Sequence, residues 1–171
     1  MDSTYQFNEG RFALPVDLRD RTVHMFALPG DGPSEFTLVM TRATGVEETS
    51  LDAFGKRLTT ELRKGLARFE LKFEVLRTVG GSPAIDMAYT WRSEGQFLYQ
   101  RQVVLLTHGQ EGERNALQFI ATSPQALTPL WAERFESMLD SVELRDGVAL
   151  QSAVDRLEPP TAAPDAFSRQ L

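Results

Sequence analysis

Apolar and polar residues alternate singly along most of this chain, and two stretches change to steps of three and four. Alternation marks Tyr5–Phe7 and Arg11–Leu14 around the turn residues Asn8-Glu9-Gly10. It returns in Thr22–Leu28, which stops at Pro29-Gly30-Asp31-Gly32-Pro33, and again in Phe36–Arg42. Further β-rich runs are Leu71–Val79, ending at Gly80-Gly81, and Ala116–Thr122 after the polar break Glu111–Asn115. The first helical stretch carries Leu51, Phe54, Leu58, Leu62, Leu66 and Phe69 on one stripe behind Ser50, a predicted N-cap. Gly65 weakens its last turn and reads as a tolerated defect. The second, opened by Thr128-Pro129, carries Trp131, Phe135, Met138, Leu139 and Val142 and ends near Leu144.

The longest β-rich stretch, Pro83–Leu106, predicts a central hairpin about Ser93-Glu94-Gly95, taken as a three-residue loop with Gly95 at positive φ. Setting Arg92 opposite Gln96 places Trp91/Phe97, Tyr89/Tyr99, Met87/Arg101 and Ile85/Val103 on one bulky face. Thr90/Leu98, Ala88/Gln100, Asp86/Gln102 and Ala84/Val104 then form a smaller, mixed face. Arg101 fits this register poorly, because it falls on the bulky side. The expected fold class is α+β: an antiparallel β-sheet with two helices packed on one face, the bulky one. Residues 1–145 form the expected domain. Residues 146–171 read as a flexible C-terminal tail, with Val148, Leu150, Val154 and Leu157 in a short weak helix before Pro159-Pro160.

Composition narrows the function. The 171 residues carry a net charge of −6 with no Lys/Arg cluster, which argues against nucleic acid as a partner. There is no cysteine, so disulfides, zinc thiolates and cysteine nucleophiles are excluded. The first ten residues lack the basic start and apolar run of a secretory signal, and no stretch approaches the roughly 20 apolar residues of a membrane span. A cytoplasmic location is the resulting expectation.

Candidate chemistry is sparse. His24 and His108 have no ligand-like spacing around them, so no metal site is expected. Asp86 faces Gln102 in the proposed register and has no second carboxylate for acid–base work. The serines form no nucleophile elbow, and neither Gly80-Gly81 nor Gly30-Asp31-Gly32 joins a strand to a helix as a phosphate loop must. No catalytic residue and no cofactor are expected, and the chain reads as a non-enzyme.

The mixed sheet face is the unusual feature. Alternation assigns to it Val23, Met25, Thr37, Val39, Thr41, Ala88, Thr90, Leu98, Gln100, Gln102, Ile120 and Thr122, with Asp86 almost its only charge. Such a face suits an apolar partner that also has small polar groups to satisfy. Two other readings are a second core layer, covered by a dimer contact or the tail, and a small-ligand or lipid carrier using the same apolar face.

The run Val23-His24-Met25-Phe26-Ala27-Leu28-Pro29 is followed by Gly32-Pro33, then by Trp91-Arg92 through Gly95 to Leu98 and by Arg101-Gln102. In order and spacing it resembles the DcrB-related family, and within it the Eag-type chaperones of bacterial type VI secretion systems. The likeness runs from about Tyr5 to Leu144. It implies a PsbP-like α+β fold, a homodimer and a cytoplasmic adaptor. Such an adaptor binds and shields N-terminal transmembrane helices of an effector protein before loading onto the secretion spike, without entering the membrane itself. By motif, the resemblance implies effector-helix contacts at Val23, Met25, Thr37, Val39, Thr41, Leu98 and Gln102, and at Leu66 on the first helix, where the apolar stripe alone implies core. Leu58 stands where relatives use a glutamine, and the tail after Asp146 is longer than the family requires.

Overall fold

The computed structural model describes residues 3–15, 17–18, 20–31, 34–109, 112–145 and 147–148. Strands β1 (Ser3–Phe7) and β2 (Gly10–Leu14) pair as a separate two-stranded hairpin. The main sheet is antiparallel, with six strands in the order β3-β4-β8-β7-β6-β5. These are β3 (His24–Ala27), β4 (Thr37–Thr44), β5 (Glu70–Val79), β6 (Ser82–Ser93), β7 (Gln96–His108) and β8 (Arg114–Ser123). Helix α1 (Leu51–Gly65) connects β4 to β5 and helix α2 (Pro129–Asp140) follows β8. Both helices start where the sequence predicts: Ser50 accepts the Ala53 N–H at 3.1 Å and Thr128 accepts that of Trp131 at 3.4 Å. The weak helix expected beyond Val148 lies outside the described residues.

The α+β class and the antiparallel sheet are as expected, but the helices do not share a face. Leu51, Phe54, Leu58, Leu62 and Leu66 of the α1 segment pack on Ile85, Met87, Tyr89, Val104, Leu106 and Ala116. Phe135, Leu139, Trp131 and Met138 of α2 pack on Ala84, Val103, Leu105, Phe119 and Ala121, the alternate positions of the same strands. One helix therefore seals each side, called here the α1 face and the α2 face.

The physical reason is a one-residue slip in the central hairpin. Ser93 pairs with Gln96, so the loop is the two-residue Glu94-Gly95 with both residues at positive φ, 49° and 82°. Since side chains alternate with period two, the slip exchanges the β7 partners of every β6 residue. Trp91 now shares a face with Leu98 and Gln100, and Ala88 shares the other with Arg101. Ala88 and Thr90 thus leave the face on which the sequence reading placed them, and the aromatic β6 residues join it.

Helix α1 lies tight against the sheet at Gly55, which is buried; a Cβ there would overlap the Ile85 Cδ1 atom. That mid-helix glycine is a packing requirement, whereas Gly65 has nothing within 4 Å of its would-be Cβ. On the other side, α2 is held to the sheet by charge. Asp86, 2% exposed, receives Arg101 through both carboxylate oxygens at 3.0 and 2.6 Å and Arg77 at 3.0 Å. Glu136 of α2 accepts from Arg77 at 2.9 Å and from Arg101. Arg101, awkward in the sequence reading, is the centre of this network, and its guanidinium lies over the rings of Phe73 and Phe135.

Candidate functional site

Cross-strand partners share a face, so the register defines the α1 face residue by residue. Moving outward from β7, it carries Leu98, Gln100, Gln102 and Val104, then Thr122, Ile120 and Gln118 on β8. Next come Thr37, Val39 and Thr41 on β4, and Met25 and Ala27 on β3. Helix α1 seals the β5–β6 side and the far ends of β7 and β8, while the half built from β3, β4 and the near ends of β8 and β7 stays open. None of the residues named on that open half is charged, since His24, Arg42 and Arg101 take the alternate positions on the α2 face. Val39, Leu98 and Ile120 are half-buried and Met25 is 68% exposed, and none of the four joins a buried core cluster.

Of the residues the sequence singled out, Met25, Thr37, Val39, Thr41 and Leu98 come together on this open half. Val23 and Gln102 stand apart from it, and Leu66 takes the core position that the apolar stripe alone implies. Val23 is exposed one residue before β3 begins, outside the ladder. Leu66 caps the C-terminus of α1 and packs on the Ile85–Met87–Tyr89 cluster as core. Gln102 is 2% exposed and lies below the surface as a member of a hydrogen-bonded row. Gln118, which the alternation places beside Ile120 and Thr122 but which the candidate residues do not include, joins this face through its cross-strand neighbours Thr41 and Val104.

Polar groups on this face are tied to one another. Tyr89 donates its phenol hydrogen to Gln102 Oε1 at 2.8 Å, and Gln102 Nε2 donates to Gln118 Oε1 at 2.6 Å. Burial pushes the Tyr89 pKa well above the usual tyrosine value, so the phenol stays a donor. In a second row, Trp91 Nε1 donates to Gln100 Oε1 and Gln100 Nε2 to Thr122 Oγ1, each at 2.8 Å. Such pairing allows glutamines to sit among apolar neighbours at little cost.

No group of three or more metal-ligating side chains occurs among the described residues, and none of their helices is long and apolar enough to cross a membrane. A separate cleft of about 250 Å³ lies on the α2 face, between Phe26, Leu28, Phe36 and Leu38 on one side and Trp131 and Met138 on the other.

An antiparallel sheet with one helix on each face and half of one face left open defines a class of small α+β proteins. The chain belongs to the DcrB family, whose profile matches residues 9–141. No curated protein matches the sequence. Among solved structures, PA94 of Pseudomonas aeruginosa, a protein of unknown function, is similar with a TM-score of 0.68 at 22% identity, over 84% of this chain and 97% of that one. LpqN of Mycobacterium tuberculosis, involved in cell envelope biogenesis, is similar with a TM-score of 0.50 at 14% identity, over 72% and 84% of the two chains. At these identities the likeness concerns the fold.

Proposed function

We propose that this chain is a chaperone or adaptor that holds apolar helices of a client on the open half of its α1 face. The client we infer is a type VI secretion effector, whose N-terminal transmembrane helices are shielded from water until the effector is loaded onto the secretion spike. The observation that carries the proposal is the uncharged surface spanning β3, β4, β8 and β7, where Met25, Val39, Leu98 and Ile120 are left without a core to join. A transmembrane helix in water exposes apolar side chains at a cost of roughly 25 cal/mol per Å², and this surface removes part of that area from solvent. Hydroxyl and amide groups spaced among the apolar side chains satisfy the polar backbone that small residues uncover in such helices.

In this proposal the protein acts in the cytoplasm as a homodimer, without catalysis, cofactor or nucleic acid, and without inserting into the membrane. The exposed Val75 and Leu76 on edge strand β5 are apolar surface that a second copy would cover. The role in cell envelope biogenesis stated for LpqN is that protein's own; secretion across the envelope is the broad setting inferred for this one.

Co-expression with an effector carrying apolar N-terminal helices tests the proposal. Recovery of a complex that is lost on deleting those helices, and lost again with Leu98→Arg or Val39→Asp in a folded chaperone, is the expected result. Retained binding in all three cases contradicts it. A small-ligand or lipid carrier is the rival reading, favoured by the apolar cleft beside Trp131, although that cleft lies on the α2 face. Native mass spectrometry showing a co-purifying lipid and no polypeptide partner would establish it instead.

A further inference from the structure

The cleft beside helix α2 is a second concave surface, on the side of the sheet away from the open half of the α1 face. Strand β3 is only four residues long, and Phe26, 55% exposed, stands on it at the cleft beside its cross-strand partner Leu38. Trp131 near the start of α2 forms the opposite wall, with Phe36 stacked on its ring at 4.4 Å between centroids and 9° between planes. Ser34 satisfies backbone groups where β3 turns into β4, accepting from the Leu28 N–H at 3.2 Å and donating to the Phe36 carbonyl. That wall of the cleft is therefore apolar, with its nearby polar groups already paired.

Arg134 is the single polar side chain lining this cleft. It is exposed, its guanidinium lies over the Trp131 ring 4.9 Å from the centroid, and it has no hydrogen bond or ion pair with any described residue. The acidic residues nearest in sequence do not answer its charge. Glu136 is taken by Arg77 and Arg101, and Glu133, the adjacent residue of the helix, does not face it. The contact with the indole ring holds the cation at the cleft, which lowers the ordering cost of an incoming anion. A guanidinium offers two parallel N–H groups that match the two oxygens of a carboxylate.

We propose that the cleft binds a free fatty acid of medium length, its chain between Phe26, Leu38, Trp131 and Met138 and its carboxylate on Arg134. The volume of about 250 Å³ lies below the roughly 300–1,000 Å³ of sites for drug-sized ligands. One acyl chain suits that space, whereas a helix about 10 Å across or a two-chain lipid does not. Burial of the chain supplies the affinity, and the lone cation sets the orientation and the sign of the headgroup. This goes beyond helix capture and does not need it. Leu38 and Met138 belong to the α2 face and Met25 and Val39 to the α1 face, so both sites can be filled at once.

The test titrates the full chain with monomeric decanoate, decanol and decyltrimethylammonium, read by calorimetry and by methyl NMR. Decanoate is expected to bind tightest, to shift the methyls of Leu28, Leu38 and Met138, and to leave those of Met25, Val39 and Leu98 in place. Arg134→Gln, an exposed change, is expected to weaken decanoate about fivefold, equivalent to about 1 kcal/mol, and to leave decanol within about twofold. Phe26→Ser, also at an exposed position, is expected to weaken both. Saturating decanoate should leave recovery of an apolar helix unchanged. Equal binding of the three probes, indifference of decanoate to Arg134→Gln, or no decanoate binding overturns this inference and leaves capture standing. Shifts on the open half of the α1 face, or displacement of the helix by decanoate, overturns it as well, since the acid would then share the client's surface.

Discussion

Replacing Asp86 with Asn removes one negative charge from a site where two guanidinium groups converge. The carboxylate is nearly inaccessible to water and takes three N–H bonds, two from Arg101 and one from Arg77, at 2.6 to 3.0 Å. An amide of the same shape keeps one acceptor and turns its NH₂ toward a cation. Arg101 would then keep Glu136, and Arg77 would keep Glu136 and Asp140, whose side chains are 41% and 74% exposed and therefore screened. Breaking a buried ion pair from one side costs about 3–5 kcal/mol, since an uncompensated charge stays behind. For a domain of this size about 2–4 °C accompanies each kcal/mol, so Asp86→Asn should lower Tm by roughly 6–20 °C. Urea unfolding checks this, with a lower midpoint at an unchanged slope as the expected result. The surface pair Lys56–Asp52, with both side chains more than 70% exposed, serves as the control, and Lys56→Gln should leave the urea midpoint nearly unchanged. If Asp86→Asn also leaves it nearly unchanged, the network is solvated in practice and α2 is held by apolar packing alone. Helix capture by the folded variant should be unchanged, because the network lies on the α2 face.

Other perturbations follow from the same geometry. Gly55→Ala gains about 1 kcal/mol of helix propensity but forces Ile85 to repack at a cost of about 1–3 kcal/mol, so the single variant should be destabilised. Adding Ile85→Val removes the clashing Cδ1, and a thermodynamic cycle over the two sites should show positive coupling. Glu94→Asn should stabilise the β6–β7 hairpin by about 0.5–1 kcal/mol, because asparagine tolerates the left-handed conformation that Glu94 adopts at φ 49°. Burial works to raise the Glu136 pKa, but its bonds to Arg101 and Arg77 outweigh this and hold it below the ordinary value of 4.5. A depressed carboxylate pKa stabilises the fold above the unfolded value and loses that contribution as pH falls through the folded one. Urea midpoints of wild type and Glu136→Gln should therefore differ near pH 7 and converge in strongly acidic solution.

The elements of this fold were legible because each keeps one period. Phe36–Arg42 and Ala116–Thr122 alternate cleanly, and the α1 and α2 stripes step by three and four. The register was not legible, for a physical reason. Ser93-Glu94-Gly95 suits a three-residue loop, and the two-residue alternative requires Glu94 at positive φ, which composition disfavours. Hydrophobicity could not arbitrate, since both faces of β6 are buried, Ile85 and Met87 on one and Ala84 and Ala88 on the other. Most of the open patch survived the slip because Met25, Thr37, Val39 and Thr41 depend on the β3–β4 pairing rather than the central hairpin. Gln102 was placed on the right surface but at the wrong depth, because the Tyr89 bond that makes its burial tolerable crosses from another strand.

Methyl NMR of the chain labelled at Met, Ile, Leu and Val tests the central claim most directly when a solubilised apolar helix is added. The account predicts shifts concentrated at Met25, Val39, Leu98 and Ile120, with Leu28, Leu38 and Met138 on the α2 face unmoved. Shifts confined to the α2 face, or no shift at saturating helix, would contradict it.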